Sequence, residues 1–333
     1  MSGEPSEQEL KAAYCWEADD RVPGRPAMTA FRRALRFRQS QWRETHGHPI
    51  GSQPIVPKPG GGVTVRPAGS RLPLAYARDS GATFVTANAG AAATERTSTI
   101  ERHQSFDHRR LWAELLWSPT MAFNLFGDLW ADAAAADRAV RTWWPDVPGT
   151  VSAVRFAHSP GRLDLGFIGS LVDFDAAFEL DLVGGTFGAV AFDVRYHDKL
   201  QRAVPKPIRM WRYVEVFERS GVFKADALAA VNATLLTVTW LEHLLLLSML
   251  QHPSGRWTWG RYVVVHPSGN SDFADACAQY RELLVDPSTF ASVTIEELLD
   301  SRALPAASVA ALGRRYRPAR APAAPGPDSS ESA

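Results

Sequence analysis

Asp173, Asp175, Asp193 and Arg195 are the residues whose types and spacing suggest chemistry. Side chains two apart on a strand point the same way, so Asp173 with Asp175, and Asp193 with Arg195, each share a strand face. Two or three carboxylates beside one guanidinium make a site for a hard divalent ion. Mg²⁺ takes oxygen ligands, commonly one or two carboxylates with waters and a substrate phosphate. Such an ion polarises a phosphoryl oxygen and acidifies bound water. A cation two residues after a ligand could hold that water or neutralise developing charge. Acids alternating along a strand also describe an ordinary solvated face, and spacing alone does not separate the two readings.

The stretch from Leu171 to Lys199 must position these groups. Val172, Phe174, Ala176, Phe178 and Leu180 fall on one side of a first run, and Val190, Phe192, Val194 and Tyr196 alternate with Asp193, Arg195 and His197 in a second. Period two predicts two half-buried strands, and Gly184-Gly185 between them predicts a hairpin. If the turn centres on Gly184 with an odd number of loop residues, Asp175 lies across from Asp193 and Asp173 across from Arg195. A two-residue loop centred between the glycines would put Asp193 on the wrong side. The phase therefore predicts a three- or five-residue loop, or a bulge.

At 333 residues the chain can bury a sizeable core, and 36 Lys and Arg balance 36 Asp and Glu. Bulk charge thus neither attracts nor excludes nucleic acid, and any phosphate-binding surface must be a local patch. Cys15 and Cys277 are too few and too far apart for a disulfide framework or a thiolate zinc site. The amino terminus lacks signal-peptide architecture, and a reduced cytoplasmic setting is expected. The apolar run Leu235 to Leu250 is 16 residues long with Glu242 and His243 in its middle. That is short for a bilayer span and costly at mid-depth, so a core helix and no membrane association are expected.

Along the chain, Met28 to Thr45 predicts a helix whose Arg32, Arg33, Arg36 and Arg43 face either phosphate or solvent. His46 and His48 read as a loop, and Pro49 to Pro73 as an extended crossing segment. Glu101 to Trp130 should be mostly helical, broken at Ser118-Pro119. Asn124 inside AFNLFGDL needs buried partners, so it either pins backbone or meets substrate. Val151 to His158 and Gly260 to Pro267 read as strands, Ile208 to Phe217 as strand or helix. Lys224 to Gln251 reads as one long helix, and Asn270 to Leu284 as an amphipathic one. Thr294 and Glu297 form a capping box. Lys199, Arg202, Lys206, Arg209 and Arg212 form a dense basic run directly after the acidic patch, which suits a polyanionic substrate or a solvated surface.

With these pieces in view the chain resembles the PD-(D/E)XK nucleases, the restriction-endonuclease-like superfamily, and more narrowly a bacterial branch of it. Asp175 in DFDAAF matches the first acid, with Asp173 as second choice, and Asp193-Val194-Arg195 occupies the D/E-x-K place. Ser118 to Phe126 resembles the branch's SQ-x-x-x-FNLF helix, with Pro119 where Gln is expected. GRYVVVHPSGN, YRELL and TIEELL resemble its carboxy-terminal half, and RFRQSQWRETHGHPIG its entry segment. The likeness covers roughly residues 30 to 300.

The resemblance implies an α/β fold, a mixed central sheet flanked by helices on both faces. It implies a nuclease-like domain over residues 28–303, and composition sets off a flexible segment 1–27 and a disordered Ala/Pro/Arg-rich tail 304–333 on either side. It further implies metal-dependent hydrolysis of DNA, with Mg²⁺ or Mn²⁺ held by Asp175, Asp193 and Asp173. Asp175, Asp193 and Arg195 would be catalytic, Glu114 either an extra helix acid or a surface residue, and the basic run a grip on the nucleic acid. Arg195 replaces the superfamily lysine. It can orient water and stabilise charge but cannot exchange a proton. Asp193 is one methylene shorter than the usual Glu. A catalytically degenerate nuclease fold that binds nucleic acid or protein is the alternative.

Overall fold

The computed structural model describes residues 4–55 and 64–317. The Pro57-Lys58-Pro59 and Gly60 to Gly62 part of the expected crossing segment lies outside the described residues, as does the tail after Arg317. Seven strands and thirteen α-helices are present among the described residues. β1 (Gly51–Ile55) and β2 (Thr64–Ala68) form an antiparallel ribbon that period-two reading did not flag. β3 (Thr150–His158), β4 (Phe174–Asp181), β5 (Phe187–Val194), β6 (Trp257–His266) and β7 (Phe290–Thr294) form one sheet in sequence order. β3 to β5 are antiparallel neighbours, and β5, β6 and β7 run parallel. The parallel steps need crossovers, which the helices Met210–Ser220 and Thr237–Leu250, and then Ser271–Glu282, supply.

Helices cover both faces. Phe178, Phe192, Val263 and Val265 pack with the helices Ala87–Ser98, Ser118–Trp130, Ala133–Trp143 and Ala306–Tyr316. Ala177, Ala191, Tyr262 and Val264 pack beneath Met210–Ser220, Thr237–Leu250 and Ser271–Glu282. This is the mixed α/β sheet that the restriction-endonuclease-like fold requires.

The hairpin joins β4 to β5 through a five-residue loop, Leu182 to Thr186, closed by Leu182 N–H donating to Thr186 O at 2.9 Å. Gly184 and Gly185 adopt φ of 93° and 79°, a region side chains resist. The register runs Asp181 opposite Phe187 to Ala176 opposite Phe192, so its next step sets Asp175 opposite Asp193. The strands are not half-buried as expected. β5 is central, and Gly188 through Val194 are all buried, because helices close the second face as well as the first. Phe174 also departs from the alternation and joins the layer of Ala177 rather than that of Phe178.

Elsewhere the helix restarts at Ser118 with Pro119 in its first turn, ends at Trp130, and a separate helix Ala133–Trp143 follows, capped by Asp132. Gly127 lets this packing form: a Cβ there would lie 2.4 Å from Ala89 Cα on the neighbouring helix. Ile208 to Phe217 resolves into helix. The single helix expected over Lys224 to Gln251 is two, Ala227–Val231 and Thr237–Leu250. Between them Ala233 has φ 56°, and Thr237 Oγ donates to Val231 O at 2.7 Å, side-chain bonding that competes with helix.

Both expected domain limits are exceeded. Ser6 and Glu9 cap the helix Glu7–Ala12, which buries Leu10, and Asp20 is buried against Arg36 at 2.5 Å. The helix Ala306–Tyr316 buries Leu312, Arg315 and Tyr316. Composition marked both ends as loose, but contacts with the helix Pro26–Thr45 and the core hold Leu10, Asp20 and the helix Ala306–Tyr316. No helix among the described residues is long and apolar enough to cross a membrane.

Candidate active site

The site forms where β4, β5 and β6 meet the buried face of the helix Thr237–Leu250. Asp175 comes from β4, Asp193 from β5, and Arg195 lies one residue beyond β5, where its N–H still donates to Val265 O of β6 at 2.7 Å. Asp175 Oδ2 accepts from Val194 N–H at 2.8 Å. Arg195 Nε donates to Asp193 Oδ2 at 2.6 Å, and Nη2 donates to Glu242 Oε1 at 2.8 Å. Tyr262 of β6 donates its hydroxyl to Glu242 Oε2 at 2.6 Å, with Asp193 Oδ2 at 3.3 Å.

Three carboxyl groups around one guanidinium leave an excess of negative charge in a poorly solvated place. Burial, and then the neighbouring Asp193, push the Asp175 carboxyl well above the usual range. Burial and Asp193 push Glu242 upward too, with Arg195 and Tyr262 opposing. Burial works against the Arg195 charge, but Asp193 and Glu242 outweigh it and hold the guanidinium more firmly protonated than in water. Tyr262 is raised by burial and by both carboxylates, so it remains a donor.

No group of three His, Cys, Asp or Glu side chains suited to a metal exists among the described residues. The donor set present is smaller. Asp175 and Asp193 each keep Oδ1 without a hydrogen bond among the described residues, while their Oδ2 atoms are engaged. Two hard oxygens from opposed strands, next to a carboxyl destabilised by its neighbour's charge, fit a Mg²⁺ completed by waters and substrate. Asp173 turns to a different partner: its Oδ2 accepts from Arg162 Nη2 at 2.7 Å, and no hydrogen bond among the described residues joins it to Asp175, Asp193 or Arg195.

Two other expectations need correction. Glu114 follows the short helix His108–Ala113, where Arg71 and Arg110 bind its carboxylate at 3.0 and 2.8 Å. The bridge between Arg71 and Glu114 fixes it there, so it is a structural ion-pair residue rather than an acid of this site. Arg212 is buried and donates to Phe167 O at 2.6 Å and Gly166 O at 3.0 Å, so it ties a loop to a helix and is not free to grip a substrate. Lys199 pairs with Asp19 at 2.5 Å. Arg202, Lys206 and Arg209 form no ion pair among the described residues, and the first two are exposed. The early arginines are also engaged: Arg36 and Arg33 by Asp20, Arg43 by Gly69 O and His48 O.

Glu242 and Tyr262 were not foreseen as site residues. The sequence did carry a signal for Glu242, since a charge inside an apolar core helix must find a partner. Nothing in GRYVVVHP marked Tyr262. Asn124, by contrast, pins backbone: its Oδ1 accepts from Val85 N–H at 2.8 Å, and its Nδ2 donates to Tyr316 Oη at 2.7 Å.

A sequence profile described as the PD-(D/E)XK nuclease superfamily matches residues 20–318. No curated protein and no solved structure matches the chain. With an opposed pair of strand aspartates, a cation two residues after the second, and a profile match across nearly the whole described chain, the chain belongs to the PD-(D/E)XK nuclease superfamily.

Proposed function

We propose that the protein is a divalent-metal-dependent nuclease that hydrolyses DNA phosphodiester bonds. The observation that carries this reading is the meeting of Asp175, Asp193 and Arg195 on one sheet face, with Arg195 Nε 2.6 Å from Asp193 Oδ2. The free Oδ1 atoms of Asp175 and Asp193 would hold Mg²⁺ or Mn²⁺, which when bound polarises the phosphoryl oxygen and acidifies water. Arg195 stays charged throughout, so it stabilises charge on the phosphate and takes no proton. Water adds to phosphorus, the P–O ester bond breaks, and the products are a hydroxyl end and a phosphate end. Arg202, Lys206 and Arg209, with Lys199 at the start of the run, would grip the backbone beside the site.

The test is plasmid DNA incubated with purified protein and Mg²⁺ or Mn²⁺, beside an Asp193→Ala variant. Metal-dependent cutting that the variant lacks supports the proposal. One feature favours a second reading, a nuclease fold that only binds: the guanidinium already occupies Asp193 Oδ2. DNA binding that weakens with salt, without cutting in either metal, selects that reading.

A further inference from the structure

We propose that Glu242 and Tyr262 are positioning residues that fix Arg195 so that the unpaired end of its guanidinium meets the substrate phosphate. The second half of this statement rests on the nuclease reading. The first does not.

A guanidinium carries five N–H bonds set in one plane. Nε and Nη2 are taken by Asp193 and Glu242, whereas Nη1 has no partner among the described residues. The Arg195 side chain keeps 20% of its exposure, against 6% for Asp193 and 10% for Glu242. Solvent therefore reaches the part of the cation that the carboxylates do not hold. Glu242 cannot swing away, because Tyr262 holds its other oxygen at 2.6 Å and also faces Asp193 Oδ2. Asp193, Arg195, Glu242 and Tyr262 thus close a ring across β5, β6 and the crossover helix. A planar cation locked at Nε and Nη2 has one orientation left, and that orientation directs Nη1 outward.

The ring explains why arginine stands where the superfamily has lysine. An ammonium is a single point of charge and cannot reproduce a fork that spans two carboxylates through two nitrogens. Placed here, lysine would leave Glu242 buried with only Tyr262 as a donor. Arg195 and Glu242 therefore form one unit, and reverting the arginine alone breaks it.

The experiment compares Arg195→Lys, Glu242→Gln, the double variant and Tyr262→Phe. Two readouts are used: kcat and KM for Mn²⁺-dependent plasmid nicking, and urea unfolding in metal-free buffer. Arg195→Lys and Glu242→Gln are each expected to lower kcat roughly 100-fold, the loss seen when one donor to transition-state charge is removed, with KM little changed. The double variant should be no worse than the poorer single one. Tyr262→Phe, which keeps the core packed, should give a smaller loss of kcat in the same direction. An Arg195→Lys variant as active as the parent, or Glu242→Gln with unaltered kcat, overturns the proposal. If the parent does not cut, the nuclease reading fails by itself, and unfolding decides the ring: single-variant changes in unfolding free energy, of either sign, that simply add up in the double variant overturn it.

Discussion

Two arginines, half-buried Arg195 and fully buried Arg315, sit on opposite faces of the same sheet and are held in opposite ways. Arg195 is surrounded by the carboxylates of Asp193 and Glu242, which raise its affinity for its proton. Arg315 has no carboxylate partner among the described residues. Its Nε donates to Gln39 Oε1 at 3.0 Å, Nη1 to Thr83 O at 2.5 Å, and the group lies over the Trp42 ring at 4.4 Å from the centroid. Burial therefore lowers its affinity for the proton. Gln39 continues to Tyr196 Oη at 2.9 Å, and Tyr316 Oη accepts from Asn124, so this network ties the helices Pro26–Thr45, Ser118–Trp130 and Ala306–Tyr316 to one another and to the segment just after β5. Neutral amides and carbonyls that bind one another fix a fold. Around Arg195, by contrast, burial and the charge of Asp193 disfavour the charged forms of Asp175 and Glu242, a penalty that a metal ion would relieve under the proposed function. On that reading the difference separates a structural polar cluster from a functional one.

That contrast can be broken most sharply by Asp175→Asn. It should cut nicking at least about 100-fold, as expected for a group acting on transition-state charge. In metal-free buffer the same variant should raise the urea midpoint, because it removes a carboxylate whose charged form the folded protein disfavours. A loss of both activity and stability would place Asp175 with the structural cluster. Asn124→Ala should do the reverse. It leaves Val85 N–H and the Tyr316 hydroxyl without partners, at about 2 kcal/mol of stability, while activity per folded molecule is unchanged. Urea titration and nicking of the same sample read both.

His243 extends the comparison along one helix, since its neighbour Glu242 faces the cation while its own ring meets Tyr280 and Thr289 at 3.0 Å each. Burial lowers its pKa from 6.5 to about 3. Between those values the unfolded chain takes up a proton that the native state refuses. The contribution of this group is complete above pH 6.5 and is lost as pH falls. At pH 5 the loss should be about 2 kcal/mol, visible as a lower urea midpoint than at pH 7. Burial lowers His158 and His197 as well, so the His243 share is read as the pH dependence that a His243→Gln variant loses, and a variant with the parent's profile would show that the ring is charged in the fold. The smallest effects belong to the surface. Arg202→Ala and Lys206→Ala should each reduce the salt slope of DNA binding by about 1 and leave stability unchanged. Arg212→Ala should instead destabilise, since its guanidinium binds the carbonyls of Gly166 and Phe167.

The hairpin was legible because its information is local. Alternation fixes which residues share a face, and the glycine pair marks the turn; a loop centred on Gly184 rather than between the two glycines then sets Asp175 opposite Asp193, and the observed five-residue loop has that phase. The Thr294 and Glu297 capping box and the Pro119 restart are equally short-range. The same alternation misjudged how deep β5 lies, because burial on its second face comes from a helix more than 40 residues away in sequence.

The amino-acid sequence thus determined on its own the strand faces and the place of the turn, and narrowed the aspartate pairing to a choice of loop phase, since backbone periodicity and glycine conformation act within a few residues. Tertiary structure alone decided which charges became partners. Arg195 reaches Glu242 across 47 positions, Glu114 goes to Arg71 across 43, and Arg315 reaches Gln39 across 276. A buried charge takes the partner that the packed layers bring within hydrogen-bond distance, and no local spacing encodes that distance.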